Sequence, residues 1–123
     1  MDTQKAKQIL LDNLNAENES FIYYIHERDR FSKKAFWEYY DSIAAFITAE
    51  SEKTPELTRL ITDTYQTILK YFIYHFNPND SYRMKDFPKN YIGYIQRIDH
   101  VIIAYYTGAP ENISEEIFDM PRK

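Results

Sequence analysis

Residues 54–76 read TPELTRLITDTYQTILKYFIYHF, and this stretch decides the fold. Thr54 offers a side-chain oxygen to cap a helix. Pro55 takes the first helical position, where its missing N–H costs nothing, and Glu56 meets the positive end of the helix dipole. Leu57, Leu60, Ile61 and Ile68 then recur at helical intervals, separated by Arg59, Thr62, Asp63 and Gln66, which predicts an amphipathic helix. From Ile68 to Phe76 the sequence is apolar on nearly every side, interrupted only by Lys70 and His75. A helix that is hydrophobic all round is covered on more than one face. Its second half is therefore expected at the centre of the fold or in a dimer interface.

Toward the N-terminus, Ala6, Ile9, Leu10, Leu14, Phe21, Ile22 and Ile25 share a helical period, and no Pro or Gly interrupts Thr3 to Arg30. The pattern predicts one long helix there. Ser32 is placed to cap a second helix, whose stripe is Phe36, Tyr40, Ile43 and Ile47, widened by Trp37 and Ala44. That helix runs out in Glu50-Ser51-Glu52-Lys53.

On the C-terminal side, Asn77-Pro78-Asn79-Asp80-Ser81 stops the third helix and opens a link that lasts to Pro88. A fourth helix starts near Pro88 with the stripe Tyr91, Ile95, Ile98, Ile102 and Tyr105, and Gly108 followed by Pro110 ends it. Asn112-Ile113-Ser114-Glu115 has capping-box spacing, and Ile117 with Phe118 could dock a last short helix. The expected fold is all-α: one domain over residues 1–123, an up-down four-helix bundle with a short C-terminal fifth helix.

Composition adds a functional clue. The 123 residues include 12 Tyr, 8 Phe and one Trp, against two Gly and no Cys. A tyrosine ring favours burial, but its hydroxyl needs a partner or water. A dozen phenols in so small a body are expected to sit at the core boundary with tips on the surface, as in protein-binding surfaces. The adjacent pairs Tyr23-Tyr24, Tyr39-Tyr40 and Tyr105-Tyr106 point about 100° apart on a helix, so one ring of each pair is expected to pack and the other to reach the edge.

Nineteen acidic against 15 basic residues give a net charge of −4, which disfavours a general nucleic-acid binder and suits a basic protein partner. The lack of Cys excludes disulfides, thiolate metal sites and thiol catalysis, and points to a reducing cytoplasm. The N-terminus lacks the basic and apolar regions of a signal peptide, and no apolar stretch approaches the roughly 20 residues that span a bilayer.

No catalytic template fits. His26, His75 and His100 fall on three different helices, and none has the Glu three residues earlier that di-iron bundles use. Arg97 precedes His100 by three positions, too few for a helical-bundle ribonuclease pairing, and two glycines cannot build a phosphate loop. No metal and no cofactor is expected. The residues that invite a function are acids interleaved with phenols: Tyr39, Asp41, Glu50, Glu52 and Glu56 form the candidate contact face. The expectation is a non-enzymatic protein-binding protein, similar in size and composition alone to immunity or antitoxin proteins that neutralise a basic, nuclease-type toxin domain. The competing expectations are a homodimeric or larger helical scaffold built on the apolar half of the third helix, and a His-based metal-binding bundle.

Overall fold

A computed structural model of the chain describes residues 1–113, Met120 and Arg122. The architecture is all-α: α1 (Thr3–Leu14), α2 (Phe21–Glu27), α3 (Lys33–Thr48), α4 (Pro55–Phe76), α5 (Tyr91–Thr107) and a 3-10 turn over Pro110–Ile113. No helix among the described residues is long and apolar enough to cross a membrane.

The predicted caps form. Ser32 accepts from the Ala35 N–H at 3.2 Å and Thr54 from the Leu57 N–H at 3.1 Å. Gly108 closes α5 in the left-handed conformation, with φ of 68°.

The long N-terminal helix is corrected to two. After α1 the chain adopts positive φ at Ala16 (54°), Asn18 (53°) and Glu19 (57°). The N–H of Glu17 reaches back to Asp12 O at 2.8 Å and that of Ala16 to Asn13 O at 3.2 Å, the two bonds of a Schellman stop. Buried Asn13 replaces helix continuity with a tertiary tie. Its amide donates to Ile9 O at 2.9 Å and its oxygen accepts from the Ile22 N–H at 3.0 Å. Ser20 then caps α2 through the Tyr23 N–H at 3.2 Å.

α3 is the central helix, packed against both α1 and α5, while α1 also packs on α4 and short α2 touches α1, α3 and α4. The backbones of α4 and α5 stay farther apart than those of the other packed helices and meet through side chains, which leaves a groove on that side. The aromatic centre is Phe31, in the turn between α2 and α3. Its ring centroid lies 5.1 Å from Phe21, 5.0 Å from Tyr94, 6.4 Å from Phe72 and 6.3 Å from Phe87.

The link from Asn77 to Asn90 folds onto the helices. The Tyr82 hydroxyl donates to Ile25 O at 2.7 Å, Met84 is buried, and Lys85 forms an isolated parallel bridge with Arg30. α5 begins at Tyr91, three residues beyond the expected start at Pro88. The second half of α4 is not enclosed: Ile68 and Phe72 are buried, but Ile73 is 63% exposed, Phe76 51% and Tyr74 40%. Of its two expected placements, the centre of the fold is therefore overturned, because Ile73, Tyr74 and Phe76 face outward; the other, a dimer interface, is compatible with that exposure. The expected short helix around Ile117 and Phe118 lies outside the described residues.

Candidate functional site

The phenols meet the expectation in part: Tyr105 packs while Tyr106 reaches the edge, but four rings are fully enclosed. Tyr39, Tyr40, Tyr94 and Tyr105 are buried, and only Tyr74 and Tyr106 are exposed. Several hydroxyls tie elements together inside the molecule. Tyr39 donates to Ile61 O at 3.4 Å, Tyr105 pairs with Thr58 at 2.8 Å, Tyr65 donates to Asp99, and Tyr71 meets His26 Nδ1. The other six tyrosines, Tyr23, Tyr24, Tyr65, Tyr71, Tyr82 and Tyr91, are half-buried at the core boundary, as expected. Tyr39 and Tyr40 are both enclosed, against the expectation of one ring per pair, because α3 has neighbours on two sides. Burial holds the Tyr39 phenol well above its ordinary range, and burial followed by the Asp99 hydrogen bond does the same for Tyr65. Both shifts make these hydroxyls poorer bases and nucleophiles at neutral pH.

Of the five candidate contact residues, three come together. Glu50, Glu52 and Glu56 are exposed around the turn from α3 to α4. Glu52 and Glu56 line one cleft of about 170 Å³ with Lys7 and Phe46, and Glu50 lines a neighbouring one of about 420 Å³ with Lys53 and Tyr105. Glu56 pairs with Lys7 at 3.3 Å, and Lys53 donates to Tyr106 O at 2.9 Å. Glu50 and Glu52 have no ion pair among the described residues.

Glu50 occupies the C′ position of α3 with φ of 53°. The Ser51 N–H bonds Phe46 O and the Glu50 N–H bonds Ile47 O, each at 3.0 Å. Glycine is the usual residue there, and a side chain in this conformation costs about 1–2 kcal/mol.

The other two residues stand apart. Tyr39 is removed from any contact face by its burial. Asp41 lies nine residues before Glu50, about 13 Å along the helix axis, and accepts from Arg122 at 2.8 and 3.0 Å. Arg122 and buried Arg97 both stand over the Trp37 ring, at 4.6 and 5.0 Å from its centroid, and Arg97 donates to Met120 O at 3.1 Å. Gly93 allows this docking, since a Cβ there would sit 2.9 Å from Met120 Sδ.

The histidines serve separate neighbours. His26 bonds Tyr71, and His75 accepts the Met84 N–H at 2.9 Å while stacking on Phe87 at 4.0 Å. Among the described residues, no group of three His, Asp or Glu gathers as metal ligands.

A second surface lies at the apolar half of α4 that the sequence offered as a dimer interface: a groove of about 550 Å³ between α4 and α5, walled by Leu69, Phe72, Ile73, Phe76, Tyr91 and Ile95. The all-round apolar run at Ile68–Phe76 was its only trace in the sequence. No family model, curated protein or solved structure matches the chain at a significant level.

Proposed function

We propose that this chain is a cytoplasmic, non-enzymatic protein-binding protein, and most concretely an immunity- or antitoxin-like inhibitor whose acidic α3–α4 turn covers the active site of a basic toxin domain. The observation that carries the reading is Glu50 in a left-handed position where glycine would be less costly. Local strain of this kind clusters at functional sites, and here it falls in the same turn as Glu52 and ahead of Glu56. Unpaired surface acids steer a basic partner and set register more than they add raw affinity. The cysteine-free composition supports the reducing compartment.

The test is co-purification of the chain with the product of the adjacent reading frame, followed by titration calorimetry at low and high salt. Reversal of Glu50, Glu52 and Glu56 to Lys should weaken the complex at least tenfold and flatten its salt dependence. Unchanged affinity would reject this face.

A further inference from the structure

We propose that the open side of the bundle, between α4 and α5, is where two copies of this chain meet. The two helices are tied at one end by Thr58 to Tyr105 at 2.8 Å and at mid-length by Tyr65 to Asp99. They close again at the other end, where the Phe76 and Tyr91 rings stand 4.9 Å apart. Between these ties lies the groove of about 550 Å³, in which Asn77 is the one polar lining residue.

The surroundings are as apolar as the groove. Eight large hydrophobic side chains are exposed among the described residues, and six of them lie on these two helices: Ile73, Tyr74, Phe76, Ile92, Ile103 and Tyr106. Ile73 and Phe76 line the groove itself and Ile92 follows Tyr91 on its α5 wall, an exposed apolar cluster of the kind that marks an interaction site. Met120 and Arg122 do not serve as its cover. They dock at Gly93, Arg97 and Trp37, and positions 93 and 97 lie about 200° around α5 from Tyr91 and Ile95.

Charge and area select the occupant. The chain carries a net charge of −4, yet the exposed acids Glu50 and Glu52 sit at the α3–α4 turn, away from this side. Across the groove the exposed charges are Lys70 on α4 and Asp99 on α5, one of each sign. That arrangement is self-complementary, as an isologous two-fold interface requires. An axis along the groove lays α4 of each copy over α5 of the other and brings Lys70 to within about one turn of the other copy's Asp99. α5 has 17 residues, so the face is about 25 Å long and about 20 Å across two helices. Its projected area of roughly 500 Å², enlarged by side-chain relief, approaches the ~800 Å² per partner of a standard stable interface.

The experiment is sedimentation velocity on the full chain over a dilution series from about 100 µM to about 0.1 µM, a span that brackets micromolar affinities. The expected result is a species of twice the chain mass that dissociates on dilution. Ile73→Asp and Ile92→Asp alter side chains already more than half exposed in the monomer, so the fold tolerates them. Each should raise the dimer dissociation constant roughly 30-fold or more by burying a carboxylate in the contact, with far-UV circular dichroism unchanged. A monomer throughout the series overturns the proposal and leaves the groove to a helix of another protein. A dimer indifferent to both Asp substitutions overturns it equally.

Discussion

His75 holds the backbone of Met84: its Nδ1 accepts the Met84 N–H at 2.9 Å and so pins the link to the end of α4. Only the neutral imidazole can do this. Burial first, and then the nearby Arg83 charge, lower the His75 pKa from its ordinary value near 6.5. A histidine with a depressed folded value binds protons more readily in the unfolded chain, so stability rises with pH across that window. The contribution should be complete above about pH 6.5 and decline as pH falls toward the lower folded value. The check is the urea midpoint of the wild type between pH 8 and pH 5, compared with His75→Gln. The variant should show the shallower decline.

Replacing Glu50 or Ala16 with Gly should stabilise the protein by about 1 kcal/mol each, since both residues hold positive φ at a Schellman stop. Gly108→Ala should cost about the same, for backbone reasons alone, because nothing lies within 4 Å of the added Cβ. Denaturant midpoints with unchanged slopes would verify all three. If Glu50 serves partner binding, Glu50→Gly gains stability while losing affinity.

Phe31→Ala should cost about 3–5 kcal/mol, the range for a fully buried aromatic with little scope for collapse around it. Phe31 is 3% exposed and touches rings from α2, α3, α4, α5 and the link. A loss below about 1 kcal/mol in urea unfolding would contradict its position as the hub.

Gly93→Ala should be non-additive with Met120→Ala. The added Cβ meets Met120 Sδ at 2.9 Å, while helix propensity favours Ala over Gly by about 1 kcal/mol. The Gly93 substitution should therefore be more favourable, by roughly 0.5–1 kcal/mol, when Met120 has been shortened. Fluorescence of the single tryptophan, Trp37, gives a local readout, because Arg122 stands over its ring.

Helix starts were legible where one side chain makes the signal: Ser32 and Thr54 cap as their sequence context predicts, and Gly108 stops α5. The break between α1 and α2 was not legible. Its left-handed positions are filled by Ala16, Asn18 and Glu19 rather than Gly, and its support is the tertiary tie from Asn13 to Ile22. Phe31 was invisible to periodicity because it lies in a turn. In the candidate site, the proximity of Glu50, Glu52 and Glu56 follows from chain order. The burial of Tyr39 and the Arg122 pairing of Asp41 depend on packing between distant segments. For the same reason the sequence marked the apolar end of α4 as a packing surface, but could not choose between the core and a second copy.

The ring cluster around Phe31 draws Phe21, Phe36, Phe72, Phe87 and Tyr94 from stretches up to 73 positions apart in the chain. No single helix or hairpin of helices owns that nucleus, so no fragment can assemble it alone. The protected amides of α3 and α5 should accordingly report one common free energy of opening in hydrogen exchange, that of the whole molecule. Cleavage in the link between α4 and α5 should melt both halves together.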